Sequence, residues 1–466
     1  MSVMHQRPRV ALYTIGCRLN QAETGLMVDR LRTAGYAPVP FGEQTDFLVV
    51  NSCSVTEGAE ADCRHIIRQV LRTSPHAFVV VTGCYAQTGV ESLQTIQGID
   101  LILGNQFKMQ LPEVLPTLSS HAKRTSPDVR HTRKLDHEPF ALEGTGECVT
   151  TRANLKIQDG CQFMCSFCLI PFARGRERSR RFDDAIREAE LLAERGHQEL
   201  VLTGVNIGQF HEQGSNLLTL IQRLETISGI KRIRISSIEP TTVSDDLIEY
   251  MKTSGKLCRH LHVPLQSGDD AMLMSMNRRY TAREYAAWIE HVARRIPGIC
   301  LGTDVMVGFP GEGEREFFNT QSLVRDLPFA YLHVFSYSKR PGTAAAKKPG
   351  IVPASIIKSR SRQLAEISRY KRLAFSRQWI GQTMLVLVES LNRSGLWTGL
   401  TDNYIRVGIS CPEGLNNTLQ SVTLTGMMGE LVIGHLDQEE SSVSNRIPLS
   451  LLRMNSWGTP AHEISR

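Results

Sequence analysis

The chain of 466 residues exceeds one ordinary domain, and 41% hydrophobic residues are enough to bury several cores. Its 53 Lys+Arg against 47 Asp+Glu leave a net charge of +6, which excludes a disordered polyelectrolyte and disfavours a histone-like polycation while permitting a local basic face. The 11 cysteines are too sparse for a disulfide-dense miniprotein, and an odd count leaves at least one thiol unpaired, so reduced, metal-binding thiols lead the alternatives.

Up to about residue 110, short β-branched runs at 9–14, 47–51, 78–82 and 100–103 alternate with amphipathic stretches. Strand–helix alternation at this spacing predicts an N-terminal open parallel α/β sheet over 1–118. The apolar run before Cys17 is shorter than the about 7–15 residues of a signal-peptide core and reads as a strand. Residues 119–150, polar and rich in Ser, His, Pro, Lys and Arg over 119–140, read as a linker or surface crossing.

Six strand candidates follow within 151–378, at 153–157, 199–203, 232–236, 260–263, 301–307 and 330–335. Helical stretches of barrel-unit length separate them, which suits a complete or partial β/α barrel, with a second open sheet as the alternative. After a basic helical stretch at 357–378, five short strands without helices, at 384–389, 396–400, 404–409, 421–424 and 430–435, predict a small antiparallel β-barrel of the oligonucleotide-binding kind over 379–440. Residues 441–466, polar and Ser-rich, read as a loosely attached tail. No run approaches the ~20 apolar residues of a membrane helix, so a cytoplasmic location is expected.

Cysteine spacing carries the sharpest chemistry. Cys161-Gln-Phe-Met-Cys165-Ser-Phe-Cys168 places three thiols in one loop, whereas zinc knuckles pair two-spaced cysteines into four ligands and ferredoxin runs provide a fourth cysteine for each cluster. A three-cysteine [4Fe-4S] cluster with one iron open to a ligand fits best; a zinc knuckle borrowing a distant ligand is the alternative. The triplet follows the first barrel strand, at the carboxyl end where barrel active sites lie. Cys17, Cys53 and Cys84 each sit just past a predicted parallel strand of the first domain, and such ends line one crevice. Gly16 and Gly83 would permit tight turns beside a bulky inorganic ligand. Three thiols with matching placement favour a second metal cluster over three small core residues. Cys63, Cys148, Cys258, Cys300 and Cys411 lack this pattern and receive no role.

With its two cysteine trios and terminal small barrel, the chain resembles the radical S-adenosylmethionine (SAM) methylthiotransferases over roughly residues 8–437, the terminal barrel matching their TRAM domain. Supporting strings are Lys-Ile-Gln-Asp-Gly-Cys (156–161), Ile-Pro-Phe-Ala-Arg-Gly (170–175), Val-Pro-Leu-Gln-Ser-Gly (263–268), Gly-Thr-Asp (302–304), Gly-Phe-Pro-Gly-Glu (308–312), Phe-Ser-Tyr-Ser (335–338) and Arg-Pro-Gly-Thr (340–343). The family modifies a ribosomal-protein aspartate, isopentenylated adenosine in tRNA, or threonylcarbamoylated adenosine in tRNA. The stretch 174–180, residues 16–21 with Glu23, and Asn403-Tyr404 are most similar to the third group. The resemblance implies two [4Fe-4S] clusters. One, on Cys161, Cys165 and Cys168, would bind SAM and reduce it to a 5′-deoxyadenosyl radical that attacks the adenine C2–H bond. The other, on Cys17, Cys53 and Cys84, would carry the sulfur, methylated by a further SAM. An electron donor such as flavodoxin or ferredoxin and the tRNA anticodon stem-loop are the implied partners.

SAM contacts are expected at carboxyl strand ends, from Thr203, Gly204, Asn206, Ser236, Glu239, Gln266, Ser267 and Asp304. The Gly-Gly-Glu of many radical SAM enzymes is replaced here by Thr203-Gly204-Val205-Asn206, which leaves the partner of the SAM amino group open. Arg174, Arg176, Arg178, Arg180 and Arg181, offset locally only by Glu177, read as an RNA-gripping cluster beside the site. A second basic face is suggested by residues 358–377, and Tyr404 and Trp397 are either base-stacking surfaces or barrel core. A protein-substrate methylthiotransferase and a non-catalytic iron–sulfur RNA-binding protein are the competing readings.

Overall fold

The computed structural model describes residues 7–54, 56–115, 123–135, 137–142 and 150–437. In β1 (Arg9–Thr14), Val10 and Leu12 pack with Met27, Val28 and Leu31 of α1 (Arg18–Thr33). β2 (Ala37–Val39) and β3 (Phe47–Ser52) follow. Ala11 and Tyr13 point the opposite way, into a cluster with Ile66, Ile67 and Val70 of α2 (Glu57–Thr73). β3 and β4 (Phe78–Gly83) are buried along their whole length, as central strands covered by helices on both faces must be.

With β5 (Leu101–Leu103) and β6 (Asp128–Arg130) these strands make one parallel sheet ordered β2-β1-β3-β4-β5-β6. β6 lies inside the stretch expected to be a linker. It is a three-residue edge strand with one apolar side chain, Val129, held by main-chain pairing that leaves little trace in composition. Residues 116–122, 136 and 143–149, with Cys148, lie outside the described ones, as does the expected tail.

The central domain is the expected six-stranded partial barrel. Its strands are β7 (Arg152–Lys156), β8 (Glu199–Thr203), β9 (Arg232–Ile235), β10 (His260–His262), β11 (Cys300–Val307) and β12 (Tyr331–Ser336). They form two parallel three-stranded sheets, β9-β8-β7 and β10-β11-β12, joined by isolated bridges from Ile233 to Leu257 and from Ser237 to His262. The outer edges of β7 and β12 carry no strand among the described residues, so the barrel is laterally open. Alternation again sorts the side chains. Leu155, Leu200, Leu202, Ile233, Ile235, Leu261, Leu301 and Leu332 join the core beneath the helices. The intervening Asn154, Lys156, Glu199, Arg234, His260, His262, Asp304 and His333 face the lumen.

The basic helix α3 (Ala354–Arg377) packs along β12 and leads into a closed barrel. Its strands are β13 (Thr383–Leu391), β14 (Trp397–Thr401), β15 (Arg406–Ile409), β16 (Leu419–Met428) and β17 (Leu431–Leu436), in the order β13-β14-β15-β17-β16. The expected five strands are therefore all present. This barrel docks against the amino ends of β7–β9. Arg232 donates to the carbonyl oxygens of Leu400 (2.9 Å) and Leu385, and Arg234 to those of Thr401 (3.1 Å) and Asp402 (2.9 Å). Arg152–Glu389 (2.6 Å) and Arg259–Asp402 (2.7 Å) add ion pairs.

Candidate functional site

Cys161, Cys165 and Cys168 sit in the loop after the short extension of β7. The loop is held from below: Cys161 N–H donates to the Gly175 carbonyl (3.1 Å), Ser166 N–H to that of Met276 (2.9 Å), and the Asn277 amide to that of Met164 (2.9 Å). Gly160 takes φ +71°, and a Cβ there would lie 1.9 Å from the Arg176 carbonyl oxygen, so only glycine allows the close approach. Each sulfur already has a donor aimed at it. Phe163 N–H approaches Cys161 Sγ at 3.5 Å, Ile170 N–H approaches Cys168 Sγ at 3.4 Å, and Arg278 Nη1 lies 3.3 Å from Cys165 Sγ. Such donors suit thiolates bound to iron. Without metal, burial pushes the Cys161 thiol up to about 11 and Cys168 to about 12, so a cluster must displace their protons. Three cysteines, with no fourth beside them among the described residues, fit a cluster that leaves one iron open.

Cys17, Cys53 and Cys84 follow β1, β3 and β4, whose ends are brought side by side by the register Thr14↔Asn51 and Ser52↔Gly83. Gly16 (φ +105°) and Gly83 (φ +93°) make the turns, and a Cβ on Gly16 would lie 2.9 Å from Cys53 Sγ. Cys17 is exposed in the crevice, whereas Cys53 and Cys84 are buried. Around them, the buried oxygens Asn51 Oδ1, Ser54 Oγ and Thr82 Oγ1 have no protein partner, as expected of a wall that meets a further group. This donor set fits a second cluster.

The two crevices are joined by a buried ion network that neither spacing nor composition announced. Glu23 of α1, 1% exposed, accepts from Lys108 (2.6 Å), Lys156 (2.7 Å) and Arg174 (2.9 Å). Asp159 accepts from Lys156 (2.7 Å) and Arg174 (3.0 Å), and Arg174 also donates to Asn20 Oδ1 (2.7 Å). Burial opposes ionisation of both carboxyls, but these cations hold Glu23 and Asp159 far below the usual carboxylate range. Arg174 also interacts electrostatically with Cys84 and Cys17, so it stands between the barrel and the first-domain trio. The only sequence hint was the charge of Lys156 within an apolar strand.

That network corrects the expected RNA-gripping cluster. Arg174 (3% exposed) is inside, and Arg180 (0%) is paired with Asp184 and Glu188. The acids that neutralise them lie 8 residues or more away except Asp184, so a local charge count misses them. Arg176 and Arg181 are exposed, and Arg178 is half-buried beside Asp159 and the Phe140 ring. On the second basic face, Arg360 is buried against Glu312, whereas Lys358, Arg362, Arg369, Arg372 and Arg377 are exposed.

The expected SAM contacts divide similarly. Thr203, Asn206 and Ser267 are each 1% exposed with no ligand present, so they have no surface to offer one. Thr203 bonds back to Val201, Asn206 lies between Gln209 and Thr242, and Ser267 pairs with Thr320. These three are corrections: strand-end polarity here serves turns. Gly204, Ser236, Glu239, Gln266 and Asp304 remain accessible. Ser236 Oγ is buried without a partner, and Gln266 adopts φ +74° while its main chain bridges Val305. Glu239 is ion-paired to Arg278, and burial raises its carboxyl. Arg278 thus links a cysteine sulfur to this acid, a role the run Asn277-Arg278-Arg279 concealed.

Deeper in the lumen, Asp304 meets His262 (2.8 Å) and His333 (3.5 Å), and Tyr331 OH lies 3.1 Å from His262 and 3.0 Å from His260. Tyr404 enters from the small barrel and stacks on His260 at 4.4 Å between centroids, while Trp397 packs into that barrel's core. Cys258 and Cys300 are buried thiols pushed up to about 12, consistent with core roles. No helix among the described residues is long and apolar enough to cross a membrane.

Residues 155–324 match the Radical SAM superfamily, and residues 9–104 match Uncharacterized protein family UPF0004. The chain is 35% identical over 430 residues to the threonylcarbamoyladenosine tRNA methylthiotransferase MtaB of Bacillus subtilis, covering 89% of this chain and 93% of that protein. It is 36% identical to the protein of the same name from Aquifex aeolicus, over 86% and 96%. A tRNA-2-methylthio-N(6)-dimethylallyladenosine synthase of Cereibacter sphaeroides is 33% identical, over 91% and 97%. Among solved structures, the radical SAM methyltransferase TsrM of Kitasatospora setae, determined with cobalamin and a [4Fe-4S] cluster, superposes with a TM-score of 0.50. That match, at 15% identity, covers 77% of this chain and 85% of that one and concerns the fold alone.

Proposed function

The chain belongs to the radical SAM methylthiotransferase family, and we propose that it adds a methylthio group to C2 of threonylcarbamoyladenosine next to the anticodon of tRNA. The observation that carries this reading is the convergence of two cysteine trios, each at the carboxyl ends of parallel strands, on either side of Arg174. Cys161, Cys165 and Cys168 would hold one [4Fe-4S] cluster and Cys17, Cys53 and Cys84 the other. When loaded, the first cluster supplies the electron that cleaves SAM and the second carries the sulfur that is transferred.

The chain's own residues position and exclude. Ser236, Glu239, Gln266, Gly204 and Asp304 are the SAM-facing candidates, with Glu239 held by Arg278. α1 packs against β7 and β8, with the Glu23–Arg174 network buried beneath it between the two crevices. Arg176, Arg178 and Arg181 would meet the backbone of the anticodon stem-loop, and the exposed part of α3 would extend that surface. A reduced iron–sulfur or flavin protein would deliver electrons, and the work would be done in the cytoplasm. Methylthiolation of dimethylallyladenosine is the second reading, favoured by the relative that carries that name.

Nucleoside mass analysis of tRNA from cells lacking this gene tests the proposal. Loss of 2-methylthio-threonylcarbamoyladenosine, restored by the wild-type gene and not by a Cys161→Ala copy, is the expected result. Undiminished amounts in cells with no second such enzyme would refute it.

A further inference from the structure

Most arginines around the lumen are neutralised. Arg152 pairs with Glu389, Arg234 with Glu199, Arg259 with Asp402 and Arg278 with Glu239. Two differ. Arg18 and Arg372 have no carboxylate within ion-pair distance among the described residues. Arg18 Nη2 reaches only the Tyr404 hydroxyl (3.3 Å), and the Arg372 guanidinium lies over the Tyr331 ring (5.2 Å to its centroid). Tyr331 and Tyr404 are themselves stacked at 6.0 Å, so the two arginines flank one aromatic pair. Tyr404 is held there in a left-handed conformation, φ +66°, which a bulky residue rarely adopts without a reason in its surroundings. His333, with its side chain 35% exposed, continues the same wall.

We infer that Arg18 and Arg372, across the Tyr331–Tyr404 pair, form an oxyanion subsite that reads the carboxylate carried by the substituent on the substrate adenine. The inference rests on the proposed function, which puts adenine C2 beside the sulfur-bearing trio. Arg18 directly follows Cys17, the exposed thiol of that trio. Carbon 6 of adenine, which bears the substituent, is separated from C2 by a single ring nitrogen. A base presented to Cys17 therefore extends its substituent along the wall where Arg18 stands. Guanidinium forks match a carboxylate, and the part-exposed Tyr404 ring accepts the intervening amide plane. An uncharged dimethylallyl group would desolvate both cations without compensating them, so the same pair rejects the other adenosine class. A phosphate of the RNA backbone is the other oxyanion with this chemistry.

The test uses the reconstituted two-cluster holoenzyme and three anticodon stem-loop RNAs. One carries threonylcarbamoyladenosine, one its neutral threonine-carboxamide analogue, and one dimethylallyladenosine. Wild type is expected to prefer the acid over the amide by roughly 10- to 100-fold in kcat/KM, the usual effect of losing a hydrogen bond to a charged group. Arg18→Gln and Arg372→Gln should each lower activity more on the acid than on the amide, narrowing that preference, and Arg18→Lys should restore part of it. Iron content checks that each variant is loaded, and the wild-type comparison decides even if a variant fails to fold. Equal rates of wild type on acid and amide overturn the subsite. So does a loss in both variants that is the same on both RNAs, which marks a backbone phosphate grip. Turnover of the dimethylallyl RNA alone overturns the function reading and the subsite with it, a pattern distinct from either of the others.

Discussion

Glu23→Gln isolates the network that joins the two crevices. The substitution keeps the shape of the side chain and removes one charge from a site that is 1% exposed. Lys156 and Arg174 then keep Asp159 as their buried carboxylate, whereas Lys108 has none within ion-pair distance among the described residues. Removing one partner of a buried pair costs about 3–5 kcal/mol, because the charge left behind stays desolvated. Burial already lowers Lys108 below an ordinary lysine, and in the variant it loses the carboxylate that supports its proton. A lysine whose folded pKa lies under its unfolded value of about 10.4 binds fewer protons when folded, so stability rises with pH between the two values, by up to about 1.4 kcal/mol per pH unit. The variant should therefore be weakest near pH 7 and partly recover by pH 9. Native-state hydrogen exchange of the α1 amides reads the opening free energy of this interface without requiring two-state unfolding of the whole chain. Adding Lys108→Met should make the variant milder, since both charges then leave together. An opening free energy within about 0.5 kcal/mol of wild type, or a loss that is identical at pH 7 and pH 9, would refute the reasoning.

Three further outcomes are expected. Replacing Cys17, Cys53 and Cys84 by alanine should reduce reconstituted iron from about eight to about four per chain, leaving the absorption of the other cluster, whereas unchanged iron would remove that trio from the assignment. Gly83→Ala sets a methyl group 2.4 Å from the Ser52 carbonyl oxygen at a φ of +93°, so a loss of at least about 2 kcal/mol in urea unfolding of the first domain is expected, together with weaker iron binding there. In the metal-free chain, alkylation of Cys161 and Cys168 should accelerate about tenfold per pH unit through the neutral range and level off only near pH 11 and 12 respectively; a plateau near pH 8 by peptide mass spectrometry would contradict their burial.

The fold was legible because its signals are local. Apolar alternation located β1, β3, β4 and all six strands of the central barrel, and the five strands of the terminal barrel followed from turn spacing. β6 was missed since a three-residue edge strand with a single apolar residue is defined by its neighbour's main chain. The cysteines were readable for a related reason: strand ends in a parallel sheet are neighbours in space whatever their separation in sequence. Charged residues behaved differently. Arg174 and Glu23 are 151 positions apart, and only the packing of the first domain against the central one brings them together, so a run of arginines looked like a surface. Thr203, Asn206 and Ser267 show the same limit at short range. A polar side chain at a strand end serves either a turn or a ligand, and composition does not distinguish the two.

The docking of the terminal barrel has a consequence for how such a chain can change. Arg232 and Arg234 grip mainly carbonyl oxygens, at Leu385, Leu400, Thr401 and Asp402, and Gln198 grips that of Asn417. Main-chain acceptors persist whatever side chain a position bears, so most of this anchor is insensitive to mutation on the barrel's side. The outward strands are thereby free to drift in sequence while the module remains seated against the central domain.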